Sequence, residues 1–241
     1  MDFKKLKSKL SASLDLLTGS SKYTYAQFGE DILMDTLFTQ TLQINRPTYL
    51  DIGANNPKGG SNTYLFYLKG CYGVCVEPDI NLYNKIRAVR PNDRNINAGV
   101  GNGELKEAVF YYFPQPYTGW NTFSREEALL KQEKSGVQFK NDKIIPFISI
   151  NTIIQENFED CPDLVSIDVE GLDLEILKSL DFDKYKPAVF CVETMEFNSK
   201  NVGRKNEQII RFMAEKGYVV YADTYINSIF ARKDLMEAQC S

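Results

Sequence analysis

The sequence predicts one α/β domain built on a mainly parallel β-sheet, and three observations carry that prediction. Its 241 residues suffice for one large domain with a substantial core and are short for two. From Arg46 onward, short apolar runs alternate with helical patterns, which is the rhythm of βαβ units. Two of those runs also end near acidic residues, Asp51 and Glu77, at the carboxyl edge where open parallel sheets bind ligands.

At the N-terminus, Phe3, Leu6, Leu10, Leu14 and Leu17 recur three and four residues apart. That spacing predicts an amphipathic helix or arm over 1–22, ahead of a single domain at 23–241. Gln27-Phe-Gly-Glu-Asp31 reads as a helix start with acids in its first turn. A first strand is expected at 48–52, a helix at 63–69, a second strand at 72–76, a helix at 80–89 stopped by Pro91, and a third strand at 95–100. About sixty residues then separate Gly101 from Asp163, whereas a βαβ crossover needs only about ten to twelve. Residues 101–163 are therefore expected to be an insertion on the substrate side, with strands at 108–113 and 144–150 and helices at 125–133 and 152–157. The regular pattern resumes with a strand at 164–168, a helix at 172–180, a strand at 188–192 and a helix at 207–215. A polar break between 218–222 and 228–232 predicts an antiparallel hairpin at the sheet edge.

A net charge of −4 gives no broad field for nucleic acid, so none is expected as a partner. No apolar run reaches the length of a membrane span, and no signal peptide is legible, which leads to the expectation of a cytoplasmic protein. The five cysteines, Cys71, Cys75, Cys161, Cys191 and Cys240, form no CxxC pair, and Cys75 and Cys191 lie in apolar runs as small buried hydrophobes. The chain has no histidine, so proton transfer near neutral pH falls to a carboxylate, lysine, tyrosine, cysteine or water.

Asp51-Ile-Gly-Ala-Asn55 occupies the first strand-to-helix turn, and Glu77 lies twenty-six residues after Asp51, near the separation at which an acid accepts hydrogen bonds from a ribose diol. Asn55, Asn56 and Pro57 stand where a dinucleotide site would carry further glycines. S-adenosylmethionine, which has a ribose and an adenine but no phosphate, fits this loop better than NAD. An NAD- or nucleotide-sugar-dependent enzyme and a non-catalytic ligand-binding module are the alternatives.

Tyr25-Ala-Gln-Phe-Gly-Glu-Asp31, Leu50-Asp-Ile-Gly-Ala-Asn55, Glu77-Pro78 and Ile167-Asp-Val-Glu-Gly171 with Glu175-Ile-Leu-Lys178 resemble, in order and spacing, the FkbM family of S-adenosylmethionine-dependent methyltransferases. The resemblance runs from about Tyr25 to Glu193. It implies the Rossmann-like class I methyltransferase fold, a seven-stranded, mostly parallel sheet with an antiparallel last strand, here with the insertion between strands 3 and 4. It also implies O-methylation of a small-molecule or glycan acceptor. By position, Asp51, Gly53, Ala54 and Asn55 would line the methionine end of the cofactor, Glu77 and Pro78 the ribose, and Ala98 to Val100 the adenine. The same resemblance raises Gln27, Glu30 and Asp31 to candidate substrate-site residues.

Asp168, Glu170 and Glu193 stand at or just beyond the ends of the fourth and fifth strands and are the candidates for catalysis, with Asp168 the first choice of base. Asp173 reads instead as a cap for the following helix. Three clustered carboxylates offer Mg²⁺ as an alternative. In the insertion, Tyr117, Trp120 and Asn121 lie in a turn-rich stretch and are candidate substrate contacts, the rings suited to stacking on a cyclic acceptor.

Overall fold

The structure, a computed structural model, describes residues 22–169, 171–197 and 203–238. The arm expected over 1–22 falls almost wholly outside the described residues, as do Glu170 and Cys240. The predicted core strands are present: β1 (Tyr49–Ile52), β2 (Gly73–Val76), β3 (Arg94–Ile96), β7 (Leu164–Ile167) and β8 (Val189–Glu193). They join the closing hairpin, β11 (Tyr218–Asp223) and β12 (Asn227–Arg232), in one seven-stranded sheet of order β11-β12-β8-β7-β1-β2-β3. β12, the last strand among the described residues, runs antiparallel to both neighbours while β3, β2, β1, β7 and β8 pair in parallel.

Alternation along each strand sends side chains to two cores. Leu50, Ile52, Val74, Val76, Val165, Ile167, Phe190 and Val192 share one cluster with α5 (Ile150–Asn157), α6 (Asp173–Ser179) and α7 (Glu207–Glu215). Tyr49, Cys75, Leu164, Val189 and Cys191 share the other with α1 (Glu30–Thr36), which continues into a π-helical turn at Leu37–Thr41, with α2 (Tyr64–Leu68) and with the inner side of α3 (Ile80–Val89). Helices thus cover both faces, as the class I methyltransferase fold requires.

The helix starts follow local chemistry: Asp79, Ser149 and Asn206 each accept hydrogen bonds from backbone N–H groups in the first turn of α3, α5 and α7. Ser61 accepts from the N–H groups of Thr63 and Tyr64 ahead of α2.

One sequence expectation needs correction. The run 95–100 is two strands: β3 stays in the main sheet, and after a break β4 (Gly99–Gly101) leaves it. The break sits at Asn97, whose side-chain amide donates to the carbonyls of Glu77 and Pro78. The insertion then forms its own sheet, β4-β6-β5, from β5 (Glu107–Tyr112) and a long β6 (Lys140–Ser149), with α4 (Arg125–Ser135) between them. A two-stranded ribbon, β9 (Met195–Phe197) with β10 (Gly203–Lys205), also has no counterpart in the sequence reading, and α8 (Lys233–Glu237) closes the described chain. Among the described residues, no helix is long and apolar enough to cross a membrane. Cys71, Cys75 and Cys191 are free and buried.

Candidate active site

At the carboxyl edge of the sheet, between its central strands and the insertion, lies a cavity of about 330 Å³, within the range of small-molecule sites. Its floor is set by one close approach. Gly53 follows β1 at φ +84, and a Cβ there would stand 1.9 Å from the carbonyl oxygen of Asp168. Only glycine meets both demands. Gly53→Ala is expected to destabilise the protein by ~1–3 kcal/mol or more through overpacking and to impair cofactor binding, read by thermal melting and calorimetric titration.

The N–H groups of Gly53 and Ala54 donate to the Val76 carbonyl, 3.0 and 3.2 Å away, tying the first loop to the end of β2. Glu77 completes the tie: its carboxylate accepts from the N–H of Asn55 at 2.9 Å and from that of Asp79 at 2.8 Å. Asn55 is held at φ +44, a conformation asparagine tolerates better than most residues. Glu77 is buried yet faces the cavity, and burial pushes its carboxyl up to about 7, against the two N–H donors that pull it down. Gly53, Asn55, Glu77, Pro78, Ala98 and Val100 all line this cavity. Ala54 is buried beside it and does not line it.

Asp51 requires a correction. Its carboxylate turns to the opposite face of β1, where it accepts a hydrogen bond from the Thr63 hydroxyl and lies 3.7 Å from Nη1 of Arg90. It does not line the cavity. Arg90 is fully buried and also donates to Asp93 at 2.7 Å, to the Tyr49 hydroxyl at 3.0 Å and to Thr63 at 2.9 Å. The strand-end acid therefore anchors the loop from beneath, and Arg90 was not singled out in the sequence.

The far wall is acidic. The register that pairs Ile167 with Val192 brings the next residues, Asp168 and Glu193, level on neighbouring strands, and both line the cavity. Asp173 takes its structural reading: its carboxylate accepts from the N–H groups of Val169 and Gly171, each at 3.3 Å. Among the described residues, no group of three His, Cys, Asp or Glu is placed to hold a metal ion.

Of the N-terminal candidates, Gln27 lines the cavity but Glu30 and Asp31 do not, a second correction. Both are fully buried structural acids. Glu30 accepts from Phe28 N–H, the Thr224 hydroxyl and the Asn227 amide, and so fastens α1 to the closing hairpin. Asp31 accepts from the Thr24 hydroxyl and from Tyr25 N–H, shaping the approach to the helix.

The insertion roofs the cavity with a 3₁₀ turn, Tyr117–Trp120, followed by Asn121, Thr122 and Phe123. Trp120 and Asn121 line it, whereas Tyr117 does not and instead stacks on Trp120 with ring centroids 4.6 Å apart. Phe110, Phe123 and Lys131 are lining residues that sequence reasoning missed. Nothing in the sequence marks Phe110 out from its neighbours in the strand expected at 108–113, and α4 offers no apolar stripe to say which of its lysines faces inward.

The profile of the Methyltransferase FkbM domain matches residues 51–220, more than half of the chain. The chain belongs to the FkbM methyltransferase family. It is an S-adenosylmethionine-dependent methyltransferase with the class I fold, which sets aside the dinucleotide and non-catalytic readings. Among solved structures, this FkbM protein is similar to a TehB-like SAM-dependent methyltransferase from Corynebacterium glutamicum, at 11% identity over 95% of this chain and 100% of that one, with a TM-score of 0.44. It is also similar to an O-methyltransferase from Bacillus cereus in complex with SAH, at 12% identity over 96% and 91% of the two chains, with a TM-score of 0.40. A precorrin-6y C5,15-methyltransferase from Geobacter metallireducens gives 13% identity over 88% and 90%, with a TM-score of 0.43. No curated protein matches the sequence.

The cavity's donor set fits the cofactor of the family. One end is apolar, with Leu82, Ala98 and Val100 suited to adenine, and Glu77 next to it offers carboxylate oxygens to a diol. The other end carries the acids Asp168 and Glu193.

Proposed function

We propose that this FkbM protein is an O-methyltransferase acting on a hydroxyl of a sugar or another polyhydroxylated small molecule. The observation that carries the reading is the pair of carboxylates, Asp168 and Glu193, level on adjacent strands in the same cavity as Glu77. In this reading Pro78, Leu82, Ala98 and Val100 would hold the adenine. Glu77 accepts from the ribose hydroxyls, and the backbone at Gly53 and Asn55 meets the methionine end. The cofactor supplies a methyl group on a positively charged sulfur.

The protein's own contribution is positioning and proton removal. Asp168 takes the proton of the acceptor hydroxyl, and Glu193 accepts a hydrogen bond that orients it. Gln27 and the face of Trp120 hold the remainder of the acceptor, the indole ring suited to the C–H face of a sugar. With no histidine in the chain, a carboxylate at this place is the fitting base. The net charge of −4 argues against a nucleic-acid acceptor, and the buried free thiols suit a reducing cytoplasm.

The test is incubation with S-adenosylmethionine and a carbohydrate and polyol extract, followed by mass spectrometry. The expected product is an acceptor heavier by one methyl on oxygen. Methylation confined to nitrogen, or no methylated product, overturns the reading.

The Glu77 contact makes its own prediction. Protonating Glu77 turns one of its oxygens into a donor and leaves the other a weaker, neutral acceptor for the ribose hydroxyls, so binding favours the ionised form. Its carboxyl, held up at about 7 in the free protein, is mostly protonated at pH 6 and mostly ionised at pH 8. Affinity for S-adenosylhomocysteine is expected to rise about tenfold between those pH values and level off above them, measured by calorimetry. A flat profile rules out the assigned contact.

A further inference from the structure

We infer that Asn121 registers the adenosine half of the cofactor, its side-chain Nδ2 donating a hydrogen bond to a ring nitrogen of the base. The inference rests on the proposed placement of adenine beside Ala98 and Val100, and not on the identity of the methyl acceptor.

The orientation of the carboxamide is fixed by the protein. Its Oδ1 accepts from the N–H of Phe113 at 2.8 Å, which leaves Nδ2 as the other end of the group. That Nδ2 is shielded from solvent and has no hydrogen-bond partner in the protein. A buried donor left unpaired is costly, and native structures rarely keep one without reason. Asn121 lines the cavity through its other atoms, so a small shift of the roof as a ligand enters would bring an acceptor to Nδ2.

The place of Asn121 in the roof decides which part of the ligand it meets. On one side, Thr122 pairs its backbone with Tyr111 through two hydrogen bonds of 2.9 and 3.0 Å, fixing the roof to β5. Phe123 then packs on Phe110 with centroids 4.8 Å apart and closes on β4, where a Cβ at Gly99 would stand 2.7 Å from Cζ of Phe123. On the other side, a Cβ at Gly119 would lie 3.5 Å from Nδ2 of Asn55. Asn121 is thus held between the first loop and the Ala98-to-Val100 wall, where the proposed placement would put the span that joins ribose to base.

The chemistry selects the atom. Ionised Glu77 is a pure acceptor and suits the ribose hydroxyls, which donate. Adenine presents ring nitrogens that only accept, and an N–H donor in an apolar slot is the group that matches them. Because the donor comes from the insertion and Glu77 from the main sheet, cofactor binding would draw the two parts of the molecule into one register.

Asn121→Asp is the decisive variant, since it keeps an oxygen for Phe113 N–H and replaces only the donor. Calorimetry with S-adenosylhomocysteine is expected to show affinity about tenfold weaker than wild type. Adenosine, used as a competing ligand, is expected to weaken by a similar factor while methionine is unaffected. Affinity for S-adenosylhomocysteine within twofold of wild type, or a loss carried by methionine and not by adenosine, overturns the assignment. Glu77→Gln, run in parallel, separates the two readings. If Glu77→Gln weakens binding and Asn121→Asp does not, only the role of Asn121 fails; if neither does, the placement of the cofactor fails with it. Should Asn121→Asp not fold, wild-type competition with 1-deaza-, 3-deaza- and 7-deaza-adenosine takes its place. One of the three is expected to bind about tenfold more weakly than adenosine, and equal binding by all three overturns the inference.

Discussion

Replacing Arg90 by methionine is expected to destabilise the fold by about 3–5 kcal/mol, the cost of leaving buried charges without their partner. Arg90 is fully buried, and its guanidinium is bonded to Asp93 at 2.7 Å and lies 3.7 Å from Asp51. It also sits over the rings of Tyr49 and Tyr67, 5.5 and 5.6 Å from their centroids. Methionine preserves much of the packing and none of the charge. The deficit has a direction in pH. Burial already pushes the Asp51 carboxyl above its ordinary range, and Arg90 and Thr63 pull it back. Without Arg90 the folded-state value climbs further above the unfolded one. A carboxyl raised in this way contributes its stability below the unfolded pKa and loses it as pH rises through the folded one. The variant is therefore expected to be closer to wild type at pH 5 than at pH 8 in urea unfolding followed by circular dichroism. Adding Asp51→Asn to Arg90→Met is expected to recover part of the loss at pH 8. An Arg90→Met protein within 1 kcal/mol of wild type at both pH values would show that the cluster does not hold the first loop.

The same cluster shows where the sequence is legible and where it is not. Strands β1, β2, β7 and β8 announce themselves as short apolar runs, and their parallel pairing follows from the helices between them. The direction of Asp51 does not follow. All four residues of β1 are buried, so polar and apolar residues do not mark an inner and an outer face, and period-two reasoning has no reference. Its partner lies thirty-nine positions later, where Arg90 reads only as the residue before the helix-stopping Pro91. Glu30 and Asp31 misled for a related reason. Acids in a first helical turn look available from sequence, yet Glu30 is taken by Thr224 and Asn227 from the far end of the chain. The insertion hid its architecture because β4 pairs with β6, Gly99 with Phe147, and nothing local signals so distant a contact. What local chemistry did carry was the ligand edge: Gly53, Asn55, Glu77, Pro78, Ala98, Asp168 and Glu193 all line the cavity. In a parallel sheet the carboxyl ends of neighbouring strands meet at one edge, whatever the loops do.

Asp168→Asn is expected to lower turnover by about 10²–10⁴-fold while leaving affinity for S-adenosylhomocysteine within about twofold of wild type. The substitution preserves shape and removes the capacity to take a proton. Asp168 is preferred over Glu193 because its main chain is the more firmly placed. Its N–H donates to the Ile52 carbonyl at 3.0 Å, and its own carbonyl is the group that Gly53 approaches so closely. A short side chain on that fixed backbone has few rotamers, and methyl transfer depends on holding the acceptor oxygen in line with the sulfonium carbon. Glu193 carries one more rotatable bond and ends a strand whose continuation is the β9–β10 ribbon, so its carboxylate is better suited to orienting a hydroxyl than to timing a proton transfer. Glu193→Gln is accordingly expected to raise KM for the acceptor more than it lowers kcat. If Asp168→Asn retained turnover within threefold of wild type, alignment alone would account for catalysis and the base would be solvent. If the loss instead followed Glu193→Gln in kcat, the two carboxylates would exchange roles on the same pair of strands.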